Sequence, residues 1–322
     1  MTKGGMKNRA NLARMAILML GTMPSLLGAA EDAKKIVRMV VTQAYVSKAG
    51  MPVYEEMAQY FSKKTGFDVK IVTGLGYDEA DKLLAAGKID VGYICGLPYV
   101  QNVSKDIYEM LAMPVLGLEA GTYNDAPGYS DKPGKYFSYT IVRKDSPYKT
   151  WADLKGKTYA FNSLTSNSGY NMPRNKLIEL GATSWEGYFS KVIKSGGHQE
   201  SIRLVAQGVV EASSVESLVL DYDRKIGEAN ALNVRIIEAF PDKGAGAPPI
   251  VISRKSDPEV KAKLKDVILH MHEDTEGQAV LKTAMLKRFI PPDDRNYDDI
   301  RDMIKHANAV NFSDWGGVPA AR

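Results

Sequence analysis

The sequence predicts an α/β protein made of two αβ lobes with a cleft between them. Three observations lead there. Apolar, β-rich runs alternate with helical patterns on short connections, the mark of βαβ units and a mostly parallel sheet. A polar, Gly/Pro-rich break at Glu119–Lys135 interrupts this rhythm, and a second αβ series follows it. The length of 322 residues suits two such units at roughly 150 residues each.

The first series opens with Ile36–Val41, a nearly continuous apolar run that reads as a strand buried on both faces. Val53, Met57, Tyr60 and Phe61 then fall on one helical face, and Thr65-Gly66 closes the helix. Phe67–Val72 alternates as a strand, Asp78–Ala86 is helical, and Ile89–Ile94 is strand again.

After the break, Tyr136–Val142 and Thr158–Phe161 read as strands, with a helix from about Gly169 to Leu180. Strand Val192–Lys194, helix His198–Gln207, strand Val209–Ser213, helix Leu218–Ile226 and strand Val234–Ala239 continue the series. Ile250–Ser253 is one more strand. Ser256-Asp257-Pro258-Glu259 then starts a helix whose apolar face is Val260, Leu264, Val267, Ile268 and Met271, and the C-terminal remainder is expected to be helical. Loops at strand ends converge in a cleft between two such lobes, a favoured place for a ligand.

Charge and cysteine content exclude several classes. Lys3, Lys7, Arg9 and Arg14 precede an apolar run, Met15–Leu27, that ends in Gly28-Ala29-Ala30, so residues 1–30 are expected to be a cleavable signal peptide. These four basic residues account for the whole formal charge of +4, and the remaining chain is neutral. A neutral chain lacks the global field of a nucleic-acid binder, so any anion must be held by a local site. The one cysteine, Cys95, excludes an internal disulfide and a Cys-based zinc site. It stands far from the expected cleavage point, which argues against a bacterial lipid anchor, and its apolar surroundings mark it as a small buried residue. The periplasm is the expected compartment.

The most unusual stretch is Asn162-Ser163-Leu164-Thr165-Ser166-Asn167-Ser168-Gly169-Tyr170, which follows a strand and opens a helix. Free N–H groups and hydroxyls at a helix N-terminus suit an anion's oxygens. Composition alone fits an ordinary N-cap and polar turn equally well. A P-loop is excluded, because no lysine follows Gly169 and the first glycine is missing.

Here the chain resembles the phosphonate-binding proteins of ABC importers. The resemblance is carried by Trp151-Ala152-Asp153-Leu154-Lys155-Gly156-Lys157, by Ser166-Asn167-Ser168-Gly169-Tyr170 with Pro173, and by Ser195-Gly196-Gly197-His198 with Ser201, Ile202 and Gly208. Glu216-Ser217, Ala247-Pro248-Pro249-Ile250-Val251, Gly87-Lys88-Ile89-Asp90-Val91-Gly92 and Pro98-Tyr99 complete an ordered set that spans most of the chain beyond residue 30. It implies a type II periplasmic binding protein fold, with lobe 1 at 31–140 plus 250–322, lobe 2 at 141–249, and crossings near Tyr136–Arg143 and Pro248–Ser253. It implies a phosphonate or related oxyanion held by Thr165, Ser166, Asn167 and Ser168, with Tyr45 and Tyr99 facing them from the first lobe. His198 and Glu216 match the family's histidine and acid. The partners implied are a small-molecule ligand and an inner-membrane ABC permease, with no cofactor, no metal and a monomeric state.

Two departures bear on the ligand. The family turn usually reads Ser-Thr-Ser-Gly, and Asn167 stands in the Thr place; the acid is commonly Asp, and Glu216 is one methylene longer. A carboxylate there accepts from a protonated oxyanion or pairs with an ammonium group, and it repels a dianion. An amine-bearing or aromatic solute is therefore the variant reading. A hydrolase built on Ser168, His198 and Glu216 is a reading from another class, but no Gly-x-Ser-x-Gly elbow supports it. Tyr93 is a further cleft candidate, because a ring offers apolar area and a hydroxyl together. His270 and His272 do not share a helix face and are read as solvent-exposed.

Overall fold

The computed structural model describes residues 34–42, 50–117 and 133–317. The expected signal peptide, Tyr45 and most of the Glu119–Lys135 break lie outside the described residues.

The first lobe is built from β1 (Ile36–Val41), α1 (Met51–Thr65), β2 (Asp68–Val72), α2 (Tyr77–Ala85), β3 (Val91–Tyr93), α3 (Gly96–Asn102) and β4 (Tyr108–Leu116). The second holds β5 (Lys135–Arg143), β6 (Thr158–Phe161), α4 (Met172–Glu179), β7 (Lys191–Lys194), α5 (His198–Ala206), β8 (Ala212–Glu216), α6 (Ser217–Lys225), α7 (Ala229–Leu232) and β9 (Val234–Gly246). The chain then returns through β10 (Ile250–Ser253), α8 (Pro258–His270), α9 (Thr275–Thr283), β11 (Leu286–Ile290) and α10 (Asp298–Ala309).

The two sheets share a topology. The first runs β11-β4-β10-β3-β1-β2 and the second β7-β6-β8-β5-β9. β1 lies parallel to β2 and β3, and β6 lies parallel to β7 and β8, as βαβ connections require. Each sheet then accepts one antiparallel strand that arrives from the other lobe: β10 beside β3 and β4, and β5 beside β8 and β9. β5 is paired within the second sheet from Lys135 onward, so the first crossing precedes Tyr136 and the lobe boundary falls near residue 134, not 140. The second crossing is Ala247–Pro249, where Ala247 N–H donates to Gly134 O at 2.9 Å and ties the two crossing segments together. Gly134 suits this junction because a Cβ there would stand 2.7 Å from Pro114 O.

Apolar alternation explains the packing. In β5, Phe137, Tyr139 and Ile141 enter an aliphatic cluster with Ile202, Val205 and Val215, while Val142 on the opposite face joins an aromatic cluster of Trp151, Tyr159, Phe161, Tyr170, Trp185 and Phe189. The first lobe has a single core that includes Val37, Met39, Tyr54, Phe61, Leu84, Val91, Ile252, Leu264 and Ile268.

Three elements differ from the sequence reading. The strand expected at Val209–Ser213 is β8 at Ala212–Glu216. Val209 N–H and Val210 N–H both turn back to Leu204 O, which ends α5 and delays the strand. The shift matters, because it carries Glu216 to the strand's C-terminal end. β11 interrupts the expected C-terminal helices: Leu286 and Phe289 are spaced as on a helix, but they pair with β4 at a sheet edge and leave Lys287 and Arg288 exposed. The segment 310–316, expected in lobe 1, crosses back after α10 onto the second lobe. There Ser313 N–H donates to Thr183 O at 2.8 Å and the Trp315 ring meets Phe161 at 5.2 Å.

Candidate ligand site

The Ser/Thr-rich turn enters helix as a π-helical turn, Asn167–Asn171, which runs directly into α4. Ser166 is its N-cap, its hydroxyl accepting from Gly169 N–H at 3.0 Å. Glycine at 169 permits a close approach of Asn162, whose Oδ1 would lie 1.9 Å from a Cβ at that position. Asn162 Oδ1 also accepts from Ser163 N–H at 2.8 Å, which fixes the loop that feeds the turn. Ser138 donates to Ser168 O at 2.6 Å, and Ser138 is the residue that pairs with Glu216 across β5 and β8. The sheet thus brings Ser168 and Glu216 to one place.

His198, the first residue of α5, completes the second-lobe wall. Its Nδ1 accepts from Glu216 N–H at 3.2 Å, so a neutral ring carries its proton on Nε2. That nitrogen lies 3.1 Å from the Asn162 amide and 3.8 Å from Glu216 Oε2. His198 and Glu216 are each 1% exposed. Burial alone lowers the imidazole to about 3 and raises the carboxyl to about 8, because neither ion is hydrated there. Both groups are therefore neutral at pH 7.

The first lobe contributes phenols and a thiol. Tyr77 opens α2 and Tyr93 ends β3; both are buried, and burial together with the negative charge of an ionised Glu216 holds both phenols protonated. Cys95 accepts from Asn167 N–H at 3.4 Å, a contact between the lobes. Burial and the nearby Glu216 push its thiol up to about 11. Tyr136, at the start of β5, accepts from Asn167 Nδ2 at 2.9 Å. The Cys95–Asn167 contact joins the two lobes at the site.

A cleft of about 400 Å³ reaches this wall, lined by Val41, Met51 and Ile71–Gly76 on one side and Gly196–Gln199 on the other. The N-termini of α2 and α5 both border it, and neither has a side-chain cap at Gly76 or Gly197. Their open N–H groups favour negative charge.

Four buried side-chain atoms in the group have no hydrogen-bond partner: Ser168 Oγ, Glu216 Oε1, Tyr77 Oη and Tyr93 Oη. Buried polar atoms are normally paired, so four in one group mark a place built to hold a polar molecule.

The structure distributes the sequence-predicted residues unevenly. Ser168, His198 and Glu216 come together. Ser166 caps the turn, and Asn167 spends its amide on Tyr136 and on Asn171 Nδ2, which donates to it at 2.9 Å. Thr165 is half-buried with its hydroxyl 3.1 Å from that of Ser163. Tyr99 packs its ring against Tyr297 and donates to Asp294 at 2.7 Å, so its partners lie within the first lobe and not in the group around Glu216. Tyr45 lies outside the described residues. Sequence reading missed Tyr77, Asn162 and Tyr136. Tyr77 had a signal, the Gly74-Leu75-Gly76 turn that opens a helix without a polar cap. Ser168 Oγ makes no bond to His198, so the nucleophile–base contact of a hydrolase is not formed. Among the described residues, no group of three His, Cys, Asp or Glu side chains is placed to hold a metal ion, and no helix is long and apolar enough to cross a membrane.

Solved structures share the fold. A binding protein component of an ABC phosphonate transporter from Pseudomonas aeruginosa matches with TM-score 0.74 at 19% identity, over 85% of this chain and 87% of that one. PhnD1 from Prochlorococcus marinus, in complex with methylphosphonate, matches with TM-score 0.70 at 20% identity, over 85% of this chain and 98% of that one. An ancestral arginine-binding protein shows a weaker likeness, TM-score 0.52 at 18% identity, over 78% of this chain and 98% of that one. Among curated proteins, ovotransferrin of Gallus gallus is 29% identical over 82 residues, which are 25% of this chain and only 11% of that protein's length. A family model described as "ABC transporter, phosphonate, periplasmic substrate-binding protein" matches residues 40–297. The chain belongs to this family of phosphonate periplasmic substrate-binding proteins of ABC transporters.

Proposed function

We propose that this chain captures a phosphonate or related small oxyanion between its lobes and delivers it, unaltered, to an ABC permease. Residues 1–30 direct its export to the periplasm, where it works as a monomer. The observation that carries this reading is that Ser168 Oγ and Glu216 Oε1 of the second lobe, and Tyr77 Oη and Tyr93 Oη of the first, are buried without a hydrogen-bond partner. A solute that touches both lobes favours their closed arrangement, which is how a hinged binding protein signals occupancy to its permease. Tyr77, His198 and the turn at Thr165–Ser168 complete the wall.

Thermal unfolding with methylphosphonate, phosphate, phosphite and small amines tests the reading, since a solute that binds only the folded state raises Tm. An oxyanion is expected to raise it and to be recovered unchanged. Ser168→Ala removes a donor and is expected to weaken binding roughly tenfold, the worth of one hydrogen bond. A Tm that responds to no oxyanion, or an oxyanion consumed on incubation, rejects the proposal. Glu216 supports a second reading, an amine-bearing solute whose ammonium group would pair with the ionised carboxylate.

A further inference from the structure

An anion site normally uses lysine or arginine, and the groups facing Glu216 include neither. His198 of α5 is neutral, and Tyr77 of α2, Tyr93 of β3, Cys95 ahead of α3 and Tyr136 of β5 all hold their protons. Among the described residues, the only ion-pair partner within 4.0 Å of Glu216 is His198, at 3.8 Å. Glu216 Oε2 lies on the His198 side, and Oε1 is buried without a partner. An ionised carboxylate at that point would face the oxyanion with no cation to offset either charge.

We propose that Glu216 is the charge-selecting residue of the site: it stays protonated in the complex and donates its carboxyl O–H to an oxygen of the bound oxyanion. The proposal rests on the reading of the cleft as an oxyanion site. Ser168 Oγ–H and Tyr93 Oη–H are the companion donors, so three neutral O–H groups replace the usual cation. The proton on Glu216 neither leaves nor is transferred on binding at neutral pH. Free Glu216 ionises near pH 8. Above that pH, one proton must be taken from solvent for each oxyanion bound, and affinity falls about tenfold per pH unit on this account alone. An ammonium solute would do the opposite and expel the Glu216 proton at neutral pH, because an adjacent cation favours the ionised carboxylate.

Titration calorimetry with methylphosphonate, in buffers of different ionisation enthalpy, counts these protons. At pH 9 the wild-type protein is expected to take up one proton more than Glu216→Gln, and at pH 6.5 the two are expected to be equal. The comparison cancels the titration of methylphosphonate itself. The substituted amide keeps an N–H donor without a titrating group, so at pH 9 this variant is expected to bind about tenfold more tightly than wild type. Should Glu216→Gln fail to fold, wild type alone at pH 9 must still take up at least one proton. Binding at pH 9 with no proton uptake, or release at pH 6.5 of a proton more than Glu216→Gln releases, overturns the proposal and leaves oxyanion capture standing. Absence of binding by methylphosphonate, phosphite and phosphate alike rejects oxyanion capture itself.

Discussion

The second lobe buries two acid–base pairs of opposite character. Arg174 of α4 and Asp314 of the C-terminal segment are 6% exposed each, and Arg174 Nη1 reaches both carboxylate oxygens at 3.2 Å. Tyr170 donates to the same carboxylate at 2.9 Å, and Arg174 Nη2 donates to Asn171 Oδ1 at 2.7 Å. His198 and Glu216 are buried more deeply, yet their closest approach of 3.8 Å is no hydrogen bond. The difference lies in the base. A guanidinium keeps its proton in any protein environment, so its burial demands a carboxylate. An imidazole can shed its proton, so burial neutralises it and leaves the carboxyl to hold its own. One pair fastens the C-terminal segment to the helix that carries the anion turn. The other leaves Glu216 Oε1 without an internal partner, as a ligand site needs.

Breaking the fastened pair should have the largest effect. Asp314→Ala leaves a buried guanidinium without its partner and is expected to cost about 3–5 kcal/mol in urea unfolding. A loss below about 1 kcal/mol would mean that the pair is no more than a surface contact.

The neutral pair should show itself through pH. Folded protein keeps the Glu216 proton to about pH 8, whereas the unfolded carboxyl releases it near its ordinary 4.5, so stability is full below 4.5 and falls as pH rises through that window. His198 works in the other direction. The unfolded ring is protonated below about 6.5 and the folded ring only below about 3, so its stability is full above 6.5 and falls as pH drops toward 3. The two slopes offset each other between 4.5 and 6.5, so this pair by itself adds no pH dependence there. On the alkaline side the slope approaches about 1.4 kcal/mol per pH unit, and Glu216→Gln is expected to flatten it. Urea unfolding at pH 6.5 and pH 8 measures this, and an unchanged slope in the variant would place the titration elsewhere.

The smallest effect sharpens the boundary of the site. Tyr99→Phe removes the bond to Asp294 and should cost about 1 kcal/mol of stability, with methylphosphonate affinity unchanged. A tenfold loss of affinity would instead return Tyr99 to the ligand.

Much of this molecule is legible in its residues, for local reasons. The alternation of Phe137, Tyr139 and Ile141 with Ser138 and Thr140 declares a strand with two different faces. The Asn162–Tyr170 stretch declares a capped turn by its hydroxyls alone. Elements without a distinctive period were harder: β4, Tyr108–Leu116, is too uniformly apolar to separate from a buried helix, and β11 carries helical spacing on a sheet edge.

The sequence by itself determined the alternation of strands and helices, the hydroxyl-rich turn, and the neutrality that forces any anion into a local site. Tertiary structure alone decided what each polar side chain is free to do. Ser166 and Asn167 look as available as Ser168 in the sequence, but the fold commits them to a cap and to Tyr136, whereas Ser168 Oγ is left unpaired. Glu216 reads as an ordinary acid until β8 carries it out of water, beside a histidine that has lost its proton for the same reason. Hydrogen-bond commitment and desolvation depend on neighbours far along the chain, and those neighbours exist only once both lobes have folded and met.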